Sequence, residues 1–295
     1  MGAVTAAASA VTASATTATF LEPLIPQTPQ DQLLGFMRLF AGTEGSCVFT
    51  NEGVIYGRAP DDLVRPLIGY LSVLEIRPER LGTDLFRTRQ IEAMVYLDLA
   101  TRMPIRRWEN PLTGERLTPV GYVSPENVYY FDTAGSYARA RPEAPIAPTH
   151  RDWRTSDTDV WMTESRYNSF PSGIREDEFP RAYAGPMRNS VDVLTYRARI
   201  ADFSDHGRTF VPSTLTMMTD APWPLWMMMG RPAGGVFWHG QGAKYPALDD
   251  VPAINRQAIE AVYPGFLAGP WRFPAAEWGT AAQLRRLRDA GELTP

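Results

Sequence analysis

Residues 91–99 read IEAMVYLDL. Ile91, Ala93, Val95, Leu97 and Leu99 fall on one side of an extended chain, and Glu92, Met94, Tyr96 and Asp98 on the other. A period of two is the signature of a strand with two unlike faces. The same signal recurs outward from this stretch. Residues 104–109 follow after a short turn, Asn110-Pro111-Leu112-Thr113-Gly114 is turn chemistry, and 115–123 reads as the returning strand. Further strands are expected at 128–132, 158–167, 191–203, 209–219 and 235–242, and 47–56 reads as a hairpin around Asn51-Glu52-Gly53. Short strands joined by hairpins, with no alternation of strand and long helix, predict a mainly β fold. We expect an antiparallel, calycin-like (lipocalin-like) barrel with a few peripheral helices.

Helices are expected at the ends of the chain. Thr28 caps the first, Pro29 suits its first turn, and Leu33, Leu34, Met37 and Phe40 form its apolar stripe up to Gly42. Residues 252–262 and 280–290 read as two more. Residues 1–28 are expected to be a flexible Ala/Thr-rich tail or the remnant of an export signal, and 29–295 one β-barrel domain. A cytoplasmic location is expected, or a periplasmic one if that tail is a signal remnant.

Composition narrows the function. A net charge of -4 argues against a general nucleic-acid binder. No apolar run is long enough for a membrane helix, so no integral membrane segment is expected. One cysteine and three scattered histidines argue against a metal cluster, and no dinucleotide or phosphate loop occurs, so neither metal nor cofactor is expected. Homo-oligomerisation is left open.

The densest chemistry lies at 217–245, MMTDAPWPLWMMMGRPAGGVFWHGQGAKY. Trp223, Trp226, Met228 and Trp238 supply large soft apolar surface beside glycines, the composition of a pocket for a hydrophobic small molecule. Lys244 is the sole lysine among 28 arginines. Arginine cannot replace an amine that must lose its proton, so Lys244 is a candidate base or Schiff-base nucleophile. On the extended chain it shares a face with Trp238, whose contact is expected to lower its pKa, whereas His239 faces the other way and serves as an alternative base or as a structural histidine. Tyr96 and Arg197 are candidates to hold a polar substituent. Glu92, Asp98, Glu164 and Asp192 all lie in strand-like segments, and the sequence does not say which of them converge.

Five segments together resemble a known family: Gly53-Val54-Ile55-Tyr56-Gly57, Tyr96-Leu97-Asp98, Trp108 to Glu115, Trp223 to Pro232, and His239 to Lys244. Their order and spacing resemble the domain of unknown function 1838 family of bacteria and fungi, over roughly residues 32–270. Some members carry a twin-arginine export signal; no arginine pair stands near the start here. We expect a cofactor-independent enzyme of lyase or isomerase type acting on a hydrophobic, aromatic small molecule, with retro-aldol release of a small aldehyde such as formaldehyde as one form. The alternative is a non-catalytic carrier of a lipophilic ligand.

Overall fold

The computed structural model describes residues 25–59, 63–138, 150–231 and 233–293; most of the expected tail and the 139–149 loop lie outside them. In chain order the elements begin with α1 (Pro29–Phe40), β1 (Cys47–Arg58), β2 (Arg65–Arg80) and β3 (Leu85–Leu97). Short strands follow: β4 (Trp108–Glu109), β5 (Arg116–Leu117), β6 (Tyr122–Val123), β7 (Asn127–Asp132) and β8 (Ser136–Ala138). Next come β9 (His150–Thr155), β10 (Asp159–Pro171), β11 (Met187–Arg199), α2 (Ile200–Phe203), β12 (Thr214–Ala221) and β13 (Gly235–Tyr245). The chain closes with α3 (Ala253–Val262), α4 (Ala275–Trp278) and α5 (Thr280–Asp289).

Eleven strands form one antiparallel sheet in the order β8-β7-β3-β2-β1-β13-β12-β11-β10-β9, with β6 also paired to β3. The mainly β, antiparallel expectation holds. The closed ring does not: β8 and β9 stand at opposite ends of the order, and no ladder joins them among the described residues. The sheet nevertheless curls strongly, as right-handed twist accumulated over many strands dictates. Phe131 of β7 and Tyr196 of β11 both meet the ring of Phe36 in α1, at 5.4 and 6.3 Å. Arg151 of the edge strand β9 lies over that same ring at 4.3 Å. Strands far apart in the order are thus brought together by one helix.

α1 forms as its sequence dictates. The Thr28 hydroxyl accepts from the Asp31 N–H, Pro29 opens the helix, and Leu33, Phe36, Met37 and Phe40 are buried. They join Phe49, Phe86, Phe131, Met162, Tyr196 and Leu215 in an apolar plug at one end of the curl. A second apolar cluster fills the other end. It gathers Ile68, Tyr70, Met94, Tyr96, Trp108 and Val236 from the strands with Trp223, Trp226 and Met228 from the segment between β12 and β13. The outer face of β1–β3 is covered by the C-terminal segment, where Ile91, Ala93, Val95 and Leu97 pack on Ile259, Tyr263 and Phe266.

Two expectations are corrected here. Residues 47–56 are one continuous strand, not a hairpin. Gly53 is required by a close crossing rather than a turn, since a Cβ there would lie 2.0 Å from the His239 carbonyl oxygen. The long strand β2 has no counterpart in the expected elements, because residues 67–73 are buried on both faces and show no alternation.

Candidate functional site

Between the two apolar clusters the inward-facing positions turn polar. Strand parity places Asn51 of β1, Ser72 of β2, Gln90 and Glu92 of β3, Arg166 and Asn168 of β10, Ser190 and Asp192 of β11, and Thr219 of β12 on the inner face. Glu92, Arg166, Asn168, Asp192, Met217, Thr219 and Trp238 stay only half-buried, although they face the inside of the curl. Glu92, Tyr122 and Arg166 are surrounded by protein on all sides yet keep accessible surface. That combination is the one expected of side chains that line an internal chamber.

Glu92 is the centre of the chamber's chemistry. Its Oε2 accepts from the Tyr122 hydroxyl at 2.7 Å, and the Ser72 hydroxyl stands beside the carboxylate. Burial pushes the Glu92 carboxyl above the ordinary carboxylate range; the charge of Asp192 adds to the rise, while the Tyr122 and Ser72 hydrogen bonds oppose it. Asp192 is fixed by donors on two neighbouring strands, Asn168 Nδ2 at 2.6 Å and Thr219 Oγ1 at 2.7 Å. A carboxyl whose proton affinity is raised, within Coulombic reach of a second carboxyl held by hydrogen-bond donors, is an arrangement suited to moving a proton.

The wall beside Glu92 is aromatic. Tyr70 meets Trp238 edge-on at 4.9 Å, and Tyr96 stands 6.4 Å from Trp238 and 4.8 Å from Trp226. Trp226 in turn meets Trp108 at 5.2 Å. Gly240 belongs to this wall: a Cβ there would lie 2.0 Å from the Tyr70 hydroxyl and 2.5 Å from Asn51 Oδ1. The missing side chain leaves room for those two polar groups. Deeper, toward α1, Glu164 pairs with both Arg151 and Arg166.

The expected site residues divide. Tyr96, Trp223, Trp226, Met228 and Trp238 gather in one cluster. Lys244 shares their strand face but lies at the opposite end of the curl. Its Nζ donates to the carbonyls of Arg38 and Leu39 at 2.6 and 2.9 Å, in the last turn of α1, and lies 4.7 Å from the Phe210 ring. A cation there suits the helix dipole. Burial does pull the lysine down to about 7, but among Phe210 and α1 rather than against Trp238. His239 faces outward, and the β1–β13 register runs past it without a bulge. Arg197 also points outward, is exposed, and pairs with Asp159 at 2.8 Å. Of the four carboxylates left open, Glu92 and Asp192 both face inward, with the charge of Asp192 acting on Glu92, Glu164 is tied to arginines, and Asp98 closes an exposed turn by accepting from Ala100 and Thr101. Tyr122, Asn168 and Thr219 could not be singled out from sequence, because only the pairing of distant strands brings them to the carboxylates.

Lys244 offers a test of its structural role. An unfolded lysine keeps its proton to about pH 10.5, the folded one only to about 7. Between these values the unfolded chain binds more protons, so this group's contribution to stability rises with pH. Relative to Lys244→Met, the parent is expected to gain up to about 2 kcal/mol between about pH 7 and 8.5, at roughly 1.4 kcal/mol per pH unit. Denaturant unfolding of both proteins at the two pH values measures this. Parallel behaviour would show that the amine is not buried against the helix carbonyls.

The fold defines an antiparallel β protein with two inward, half-buried carboxyl groups inside an aromatic-walled curl. Residues 44–283 match the family described as Protein of unknown function (DUF1838), and the chain belongs to that family. Comparison with curated proteins gave no match. No helix among the described residues is long and apolar enough to cross a membrane.

Proposed function

We propose that this chain is a cofactor-independent enzyme of lyase or isomerase type, moving a proton on a small molecule with a flat, aromatic body. The observation that carries the proposal is Glu92: an inward carboxyl of raised proton affinity, hydrogen-bonded by Tyr122, within Coulombic reach of Asp192 and beside the Tyr70–Trp238 wall. Glu92 takes the role of base first expected of Lys244 or His239. The two apolar ends exclude water and hold the ligand, which strengthens charge interactions between them. The curl of the sheet about α1 supports a calycin-like barrel as the finer description of this fold.

In the retro-aldol form, the Glu92 carboxylate takes the proton of a β-hydroxyl group. The carbon–carbon bond breaks, its electron pair passes into the carbonyl as an enolate, and the aldehyde departs. The enolate carbon then takes the proton back from Glu92, leaving the enzyme unchanged. With 3-hydroxy-1-phenylpropan-1-one as probe and no added cofactor, the expected products are formaldehyde and acetophenone in equal amounts. The aromatic wall alone would suit a carrier of lipophilic ligands. Quenching of tryptophan fluorescence by the probe with no product formed would replace the enzyme with that carrier.

A further inference from the structure

β3 and β11 both present side chains to the inside of the curl. Glu92 stands near Asp192, and four residues further along each strand Tyr96 stands near Arg188. The two rungs are about 13 Å apart along the strands. Arg188 lies on the same inner face as Asp192 and is half-buried. Its Nη2 donates to the Trp223 carbonyl at 3.0 Å, while its Nη1 is closed off from water and meets no acceptor. No carboxylate pairs with Arg188 among the described residues. The buried indole N–H of Trp223 also meets no acceptor. Buried donors without acceptors cost about 1–3 kcal/mol each, more for a charged group. Arg166 near Asp192 also has unmet donors, but it pairs with Glu164, whereas Arg188 has no carboxylate partner among the described residues.

We propose that Arg188 and the Trp223 indole N–H receive an anionic oxygen of the substrate, a carboxylate or phenolate carried on the far end of its flat body from the reacting carbon. The proposal rests on the proton-transfer reading of the same chamber and names the substrate class: an aromatic acid or phenol whose reactive side chain reaches Glu92 when its anionic end reaches Arg188. The guanidinium needs only to turn its fork from the Trp223 carbonyl toward the ligand.

The test is calorimetric binding of three probes of one shape: 4-acetylbenzoate, 4-hydroxyacetophenone as its phenolate at about pH 9, and 4-acetylbenzamide. The parent is expected to bind one anion at least about 10-fold more tightly than the neutral amide, the worth of one charge-assisted hydrogen bond. Preference for the benzoate assigns a carboxylate, and preference for the hydroxyketone a phenolate. Arg188→Met is expected to abolish the preference, and Arg188→Lys to restore part of it. Equal binding of all three probes by the parent, or no binding, overturns the proposal, and this comparison needs no variant to fold. Glu92→Gln is expected to keep the anion preference while losing turnover of 3-hydroxy-1-phenylpropan-1-one. Loss of the preference in that variant would place the anion elsewhere and overturn the proposal. A parent that shows the preference but does not turn over 3-hydroxy-1-phenylpropan-1-one leaves the anion site standing and removes the proton-transfer reading.

Discussion

Glu92→Gln is expected to slow retro-aldol turnover of 3-hydroxy-1-phenylpropan-1-one by about 10²- to 10⁴-fold, the usual worth of a positioned general base. Glutamine keeps the shape and can still accept from Tyr122, but it cannot carry the proton. KM is expected to change little, because the aromatic wall is untouched. The pH dependence follows from the raised carboxyl: the base form is needed, so the parent's rate falls as pH drops through a pKa above the ordinary 4.5. The stability effect runs the other way. The unfolded chain releases this proton first, so Glu92 lowers stability as pH rises from the ordinary carboxylate range through the folded pKa. Glu92→Gln is therefore expected to melt higher than the parent near neutral pH, with the gain vanishing in acid. A loss of turnover smaller than threefold would sink the assignment of the base.

Phe36→Ala is expected to cost about 3–5 kcal/mol of stability, in the range for a fully buried phenylalanine. Phe36 has no exposed surface and touches Phe40, Phe131 and Tyr196, so it joins strands far apart in the sheet order. The Arg151 guanidinium would also lose the ring face it rests on, worth roughly 0.5–2 kcal/mol within that total. Urea unfolding at neutral pH measures the change. A cost below about 1 kcal/mol would mean that α1 does not hold the curl together.

Local chemistry was legible; convergence was not. α1 announced itself through Thr28, Pro29 and its apolar stripe, and β3 through alternation that correctly sorted Ile91, Ala93, Val95 and Leu97 from Glu92, Met94 and Tyr96. The tryptophan wall followed from composition, because large aromatic surface close together has few places to go but a core or a pocket. Bringing Glu92 and Asp192 to one interior depends on the curvature of the whole sheet, and no local pattern encodes that. Lys244 misled for a physical reason: a rare, buried amine in a glycine-rich strand can serve a catalyst or a helix terminus equally well. The carbonyls of Arg38 and Leu39 that decide between them lie some 200 positions earlier in the chain. Arg188 fell just before the strand expected at 191–203 and so was never placed on a face.

The end of α1 also gives the molecule an internal clock. Lys244 and Cys47 are the chain's sole lysine and sole cysteine, and both are buried where α1 ends. The Cys47 thiol, pushed up to about 12 by burial, sits 3.8 Å from the Phe40 carbonyl. In the native state neither an amine-directed nor a thiol-directed reagent can reach its target. Each becomes reactive only when the helix leaves its seat. Two orthogonal labels, pulsed over time and read by intact mass, would report how often this end of the curl opens and whether both groups are uncovered in one event.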